Sequence, residues 1–95
     1  MGRPYTSSPV AWEYFMRGAE LNRRYTSQEN AQARALFEKA IELDPEFARA
    51  YASLANTHRQ DWTFTGWSQD RETSEELAYR LAQKAVELAR RELEP

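Results

Sequence analysis

The chain has no cysteine among its 95 residues, which excludes disulfide bonds, thiol catalysis and cysteine-ligated metal. Its three glycines are scattered, so no phosphate-binding loop is present. No apolar run approaches the roughly 20 residues that a membrane-spanning helix needs. The first nine residues lack the apolar centre of a signal peptide. We therefore expect a cytoplasmic protein without direct insertion into a membrane.

An excess of charge of either sign is also missing. The 13 basic and 15 acidic residues leave a net charge of −2 and are mixed along the sequence. Nucleic-acid binding depends on clustered Lys and Arg, and the only basic pairs are Arg23-Arg24 and Arg90-Arg91. A hydrophobic content of 41% favours a folded chain over a disordered one. We expect no nucleic-acid partner.

Few side chains in the sequence are suited to catalysis or to metal binding. His58 is the only histidine, and Asp61 follows it by three residues, but a lone histidine cannot form a histidine-based metal site. His58, Ser68 and Asp70 could be combined into a triad, yet nothing predicts the turn that presents a nucleophile. We predict no catalytic residue, no metal site and no cofactor, and hence no enzyme.

Four helices and no strands are predicted. Ser8 and Pro9 are typical of a helix start, and this first helix is expected to run to about Arg24. The second helix is expected from Ser27 to Leu43. The fold class is therefore all-α.

The starts of the last two helices are predicted from their capping signals. Asp44 is the expected N-cap of the third helix, with Pro45 at its first position. Thr73 and Glu76 have the spacing of a capping box, and this fourth helix is expected to reach roughly Arg91. Between them, residues 59–72 are expected to form an inserted loop rich in aromatic side chains.

One apolar pattern occurs twice. Small or apolar residues recur at an origin, four later and seven later, which places them on one helical face where a second helix can come close. The first helix of each hairpin has a small residue as well, Gly18 or Ala55, where the two helices of a hairpin should touch. The two stripes are Ala33, Phe37, Ala40 and Ala78, Ala82, Ala85.

These motifs resemble the tetratricopeptide repeat, a helical hairpin that stacks on its neighbours. The spacing of 22 residues between Ala33 and Ala55 is that of the family. The resemblance implies a lead-in over residues 1–8 and a two-unit domain over 9–95, with units at about 11–45 and 46–91. The packing positions that it implies are Gly18, Leu21, Ala33, Phe37, Ala40, Pro45, Tyr51, Leu54, Ala55, Ala78, Ala82 and Ala85.

The resemblance implies a scaffold that binds a protein or a peptide. The chain is also similar to the repeats attached to bacterial class III adenylate/guanylate cyclases and related regulators, which suggests a regulatory fragment of a larger signalling protein. The alternative is a small-molecule or peptide sensor that uses the Trp62–Trp67 loop. For that loop we favour a structural plug over a binding site, because three exposed large aromatic side chains in a short loop would be costly in water. The implied partner-binding surface is Glu13, Arg17, Arg49, Ser53, Asn56, Trp62 and Trp67.

The fourth helix is expected to carry a second apolar face, formed by Leu77, Leu81 and Leu88. A further repeat would cover that face in a longer array. Without one, either the chain is a piece of a longer protein or two copies associate. We therefore predict a homodimer through the C-terminal helix.

Overall fold

The computed structural model describes residues 6–63 and 70–94, with the side chain of Trp62 excepted. Its helices are α1 (Pro9–Asn22), α2 (Ser27–Leu43), α3 (Ala48–Thr63) and α4 (Arg71–Leu93). No strand occurs in the described ranges, and the predicted all-α class is confirmed. None of these helices is both long and apolar enough to cross a membrane.

The beginning of α1 and both ends of α2 follow the sequence prediction. The Ser8 side chain accepts a hydrogen bond from the Ala11 amide (3.1 Å), and Thr26 does the same for Glu29 at the start of α2 (3.1 Å). Helix α1 ends two residues earlier than predicted. After it the chain reverses through Tyr25, whose φ of 54° lies in the left-handed region.

The prediction that Asp44 caps the third helix is wrong, because Asp44 ends α2 instead. A residue before proline is biased toward extended backbone, and Asp44 has φ −145° and ψ 92°. The Asp44 carbonyl accepts from the Phe47 amide (3.1 Å), which closes a turn. Pro45 is exposed in this turn rather than packed. Helix α3 begins only after buried Phe47.

The start of α4 also differs from the prediction. Asp70, not Thr73, is the N-cap, and its carboxylate accepts from the Thr73 amide (3.1 Å) and hydroxyl (2.6 Å). Asp70 and Thr73 are both residue types that are favoured at an N-cap, and the helix begins after the aspartate. Because α3 runs to Thr63, much of the predicted loop over 59–72 is helical. Its residues 64–69, with Trp67, lie outside the described part.

Helix α2 packs against both α1 and α3, and α4 packs against α3. Phe37 of α2 is 1% exposed. A Cβ on Gly18 would lie 2.7 Å from Cε1 of Phe37, so only glycine permits this approach. The prediction that Gly18 marks a close contact is therefore confirmed. Other predicted packing positions are buried or half-buried: Leu21, Ala33, Ala40, Tyr51, Leu54 and Ala55.

The predicted apolar faces of α4 are partly wrong. Ala85 is buried and Ala78 half-buried, but Ala82 is exposed. Leu88 is 3% exposed and Leu81 packs on the core, so neither faces away from the hairpin. The inward stripe is Leu81, Ala85 and Leu88, with spacings of four and three residues. It forms the one apolar face of α4 that is covered, because α3 is the only helix packed against α4 within residues 6–63 and 70–94.

Candidate functional site

Helices α1 and α3 lie side by side and are joined at both ends of a shallow groove, which we call the α1–α3 groove. At the N-terminal end, Trp12 stacks on Phe15 with 5.4 Å between ring centroids. Phe15 is in turn 5.1 Å from the ring of Phe47. The guanidinium of Arg49 on α3 lies 5.3 Å above the Phe15 ring, a cation–π contact between the two helices.

An open pocket of about 520 Å³ lies at this end of the groove. Its lining combines the Trp12 ring, the Met16 thioether, the Arg49 cation and Thr6. Met16 is 42% exposed. Tryptophan, methionine and arginine are residue types that interfaces use most. The pocket can therefore take an apolar side chain and pair a nearby negative charge.

Hydrogen-bonded amides join the other end of the groove. The side-chain amide of Asn22 donates to Oδ1 of Asn30 (3.0 Å) and to Oε1 of Gln60 (2.9 Å). Oδ1 of Asn22 accepts from Nδ2 of Asn56 (3.0 Å). Asn30 and Gln60 are almost completely buried, at 1% and 2% exposure. These contacts fix the last residue of α1 against α3.

The same set of contacts continues through α2. Nδ2 of Asn30 donates to the Thr57 carbonyl and to Asp61, each at 2.9 Å. Arg34 forms an ion pair with Asp61 and donates from Nη2 to the Thr57 carbonyl (3.0 Å). Buried polar groups are costly unless paired, and these are paired. We call the set the polar network; it comprises Asn22, Asn30, Arg34, Asn56, Thr57, Gln60 and Asp61.

The predicted partner-binding residues divide into three groups. Arg49, Ser53 and Asn56 recur at four and three residues on α3, and thus share the side that borders the groove. Glu13 and Arg17 are exposed on α1, and helical register places them away from α3. Arg17 lies 5.7 Å above the Tyr14 ring. The remaining two, the side chains of Trp62 and Trp67, are outside what the structure describes.

Sequence reasoning missed most of the polar network. Asn30 stands three residues before Ala33, on the same face as Phe37 and Ala40, and is therefore a polar residue in an apolar stripe. Such a residue predicts a buried hydrogen bond. Its partners on α3 could not be identified, because nothing in a single sequence pairs residues from different helices.

His58 is half-buried on α3 next to the network. Burial, followed by the Arg34 cation, holds the pKa of His58 below its ordinary value of 6.5, while Asp61 acts in the opposite direction. Within residues 6–63 and 70–94, no three His, Cys, Asp or Glu side chains are grouped so as to hold a metal ion. Nothing in these surroundings gives His58 a chemical role.

The lowered pKa predicts that the protein loses stability on acidification. The unfolded chain binds the proton more readily than the folded one, so stability is complete above the unfolded pKa and falls as the pH drops below about 6.5. Denaturant titrations at several pH values measure this effect. In His58→Gln the decline between neutral pH and about pH 5 should be smaller. An unchanged decline would contradict the assignment.

A comparison with protein families matches residues 36–84, more than half of the chain, to the tetratricopeptide repeat. No curated protein and no solved structure matches the chain. The matched segment runs from the second half of α2 through α3 to the middle of α4. It includes Phe37, Ala40 and Ala55 from the repeated motifs and the buried Leu54 between them. The chain therefore belongs to the tetratricopeptide repeat family.

Proposed function

We propose that this chain is a non-enzymatic module that binds an extended peptide segment of a partner protein in the α1–α3 groove. Tetratricopeptide repeats act as protein-interaction scaffolds. The observation that carries the finer proposal is the pocket between Trp12, Met16 and Arg49. We propose a domain of two units, 11–45 and 46–91, preceded in sequence by a lead-in over residues 1–8. Each unit contributes one wall of the groove.

The chemistry of the groove favours a peptide with an apolar anchor and acidic neighbours. The anchor would fill the pocket, and an acidic group would meet Arg49 there. Arg59 donates to Asn56 and also lines a cavity between α3 and the start of α4, so it offers a second cation beyond the other end of the groove. Ten residues of helix separate Arg49 from Arg59, about 15 Å, which an extended peptide of some five residues spans.

Binding can be tested with short synthetic peptides that combine acidic residues with one large apolar residue. Fluorescence anisotropy should detect binding to the parent chain, and Arg49→Glu should weaken it about tenfold or more, since a cation becomes a like charge. Arg17→Glu is the matched control. Arg17, like Arg49, lies over an aromatic ring and undergoes the same charge reversal, but it faces away from the groove. Equal effects of the two variants, or no binding by the parent, would contradict the proposal.

We also propose a regulatory role within a larger cytoplasmic signalling protein, such as an adenylate/guanylate cyclase. This rests on sequence resemblance, which includes the Leu21-Asn22-Arg23-Arg24 end of the first helix. The sensor alternative, with a ligand at the Trp62–Trp67 loop, is separated from peptide binding by a thermal-shift screen of small molecules. A small molecule that raises the melting temperature without displacing peptide would favour the sensor. Self-association through α4 remains part of the proposal, on a face other than the predicted leucines.

A further inference from the structure

Helix α4 has an exposed apolar stripe distinct from the face that packs on α3. Its members follow spacings of three, four, three and four residues, the pattern of a seam between paired helices. Tyr79 is 65% exposed, Val86 57% and Leu93 83%. We call this stripe the α4 seam; it comprises Tyr79, Ala82, Val86, Ala89 and Leu93.

The α4 seam is open to an additional helix. At 100° per residue it lies roughly a third of the way round α4 from the buried stripe of Leu81, Ala85 and Leu88. Helix α3 is the one helix packed against α4 in the described part of the chain, and it covers the buried stripe.

The two ends of the seam carry opposite charges. Glu75 lies four residues before Tyr79, and Arg90 lies four residues after Val86, so both continue the same face. Neither takes part in an ion pair within residues 6–63 and 70–94. The part of the seam from Tyr79 to Ala89 thus has an acidic residue before it and a basic residue after it, and Leu93 lies beyond Arg90.

We propose that two copies of the chain pair antiparallel through the α4 seam. In this register Glu75 faces Arg90 of the second copy, and Tyr79 packs against Val86 of the second copy. The two-fold axis then passes between Ala82 and Gln83, where the small alanine lets the helices approach closely. A parallel pair would place Glu75 against Glu75, so the charges select the antiparallel arrangement. This inference rests on the proposed self-association through α4, for which it names the surface and the direction of pairing, and it uses none of the groove residues.

Charge reversal tests both the surface and the direction of pairing. Sedimentation over a dilution series should show a dimer of the parent chain. Glu75→Arg and Arg90→Glu should each weaken it about tenfold, because two symmetric attractions become repulsions. The double variant should recover the parental dissociation constant, and an equimolar mixture of the single variants should form a heterodimer. Arg91→Glu is the control and should leave the dimer unchanged. It makes the same charge reversal at the next residue, which helical register places on the side of α4 away from the seam.

A cross-linking experiment tests the position of the axis independently. Because the chain has no cysteine, Ala82→Cys introduces a single thiol beside the proposed axis. Mild oxidation should link this variant into a disulfide dimer, whereas Lys84→Cys, on the other side of α4, should stay unlinked. A parent chain that is monomeric at high concentration, a double variant without recovery, or equal cross-linking of both positions would overturn the proposal. Peptide binding by the monomeric variants separates its failure from that of the groove.

Discussion

Phe37→Ala is expected to lower the free energy of unfolding by about 3–5 kcal/mol, the range for a fully buried aromatic side chain. A chain of this size has only about 5–14 kcal/mol in total. Phe37 is 1% exposed, its ring lies 5.7 Å from that of Phe15, and Gly18 lies directly against it. Denaturant titration followed by circular dichroism measures the loss. Leu43→Ala, at a residue 42% exposed on the same helix, is the control and should cost about 1 kcal/mol or less.

The contact between Phe37 and Gly18 predicts a change of sign in a double-mutant cycle. In the parent chain, Gly18→Ala brings a methyl group to 2.7 Å from the ring and should destabilise the fold. In the Phe37→Ala background the methyl group has room. The same substitution should then stabilise α1 by about 0.5–1 kcal/mol, because alanine is the better helix former. Destabilisation of equal size in both backgrounds would contradict the contact.

Loss of Asn30 is expected to cost about 2–4 kcal/mol, because several buried groups then lose a hydrogen bond at once. Asn30→Ala removes the bonds to Asn22, the Thr57 carbonyl and Asp61. Denaturant titration again gives the change. Gln32→Ala is the control, because it also removes a side-chain amide, two residues away and at an exposed position. Its free energy of unfolding should be within about 0.5 kcal/mol of that of the parent.

Asn30→Asp separates hydrogen bonding from packing, since the new side chain has the same size. Its oxygen atoms could still accept from Asn22, but they would face the Thr57 carbonyl and the Asp61 carboxylate. Two acceptors would then oppose an anion in a buried site, which is unfavourable. We expect this variant to be at least as unstable as Asn30→Ala. Parental stability would contradict the donor role of Asn30.

The sequence was sufficient to predict α2 and its core. The stripe of Ala33, Phe37 and Ala40 marks a helix enclosed by neighbours on two sides, so its hydrophobic period is unambiguous. The beginning of α1 followed from Ser8 and Pro9 in the same way, since a good cap stands next to a residue suited to the first turn.

The register of α4 could not be obtained from its sequence. Alanines and leucines alternate along it, and Ala82 and Leu81 are equally acceptable members of an inward stripe until the position of α3 is known. The same limit applies to helix ends. Asp70 and Thr73 each have cap spacing, and only the geometry of the chain decides which one is used.

The polar network and the aromatic contacts restrain the two ends of the groove differently. Hydrogen bonds between amides depend on direction and tolerate little rotation, whereas stacked rings such as Trp12 and Phe15 can slide with small loss of contact. Helix α1 is therefore held by directional bonds at Asn22 and by packing at its other end, where Ala11 is 0% and Phe15 4% exposed. A peptide in the groove would thus meet two kinds of contact, apolar surface that accepts side chains of different shape beside Arg49 and amides of fixed orientation beside Asn56.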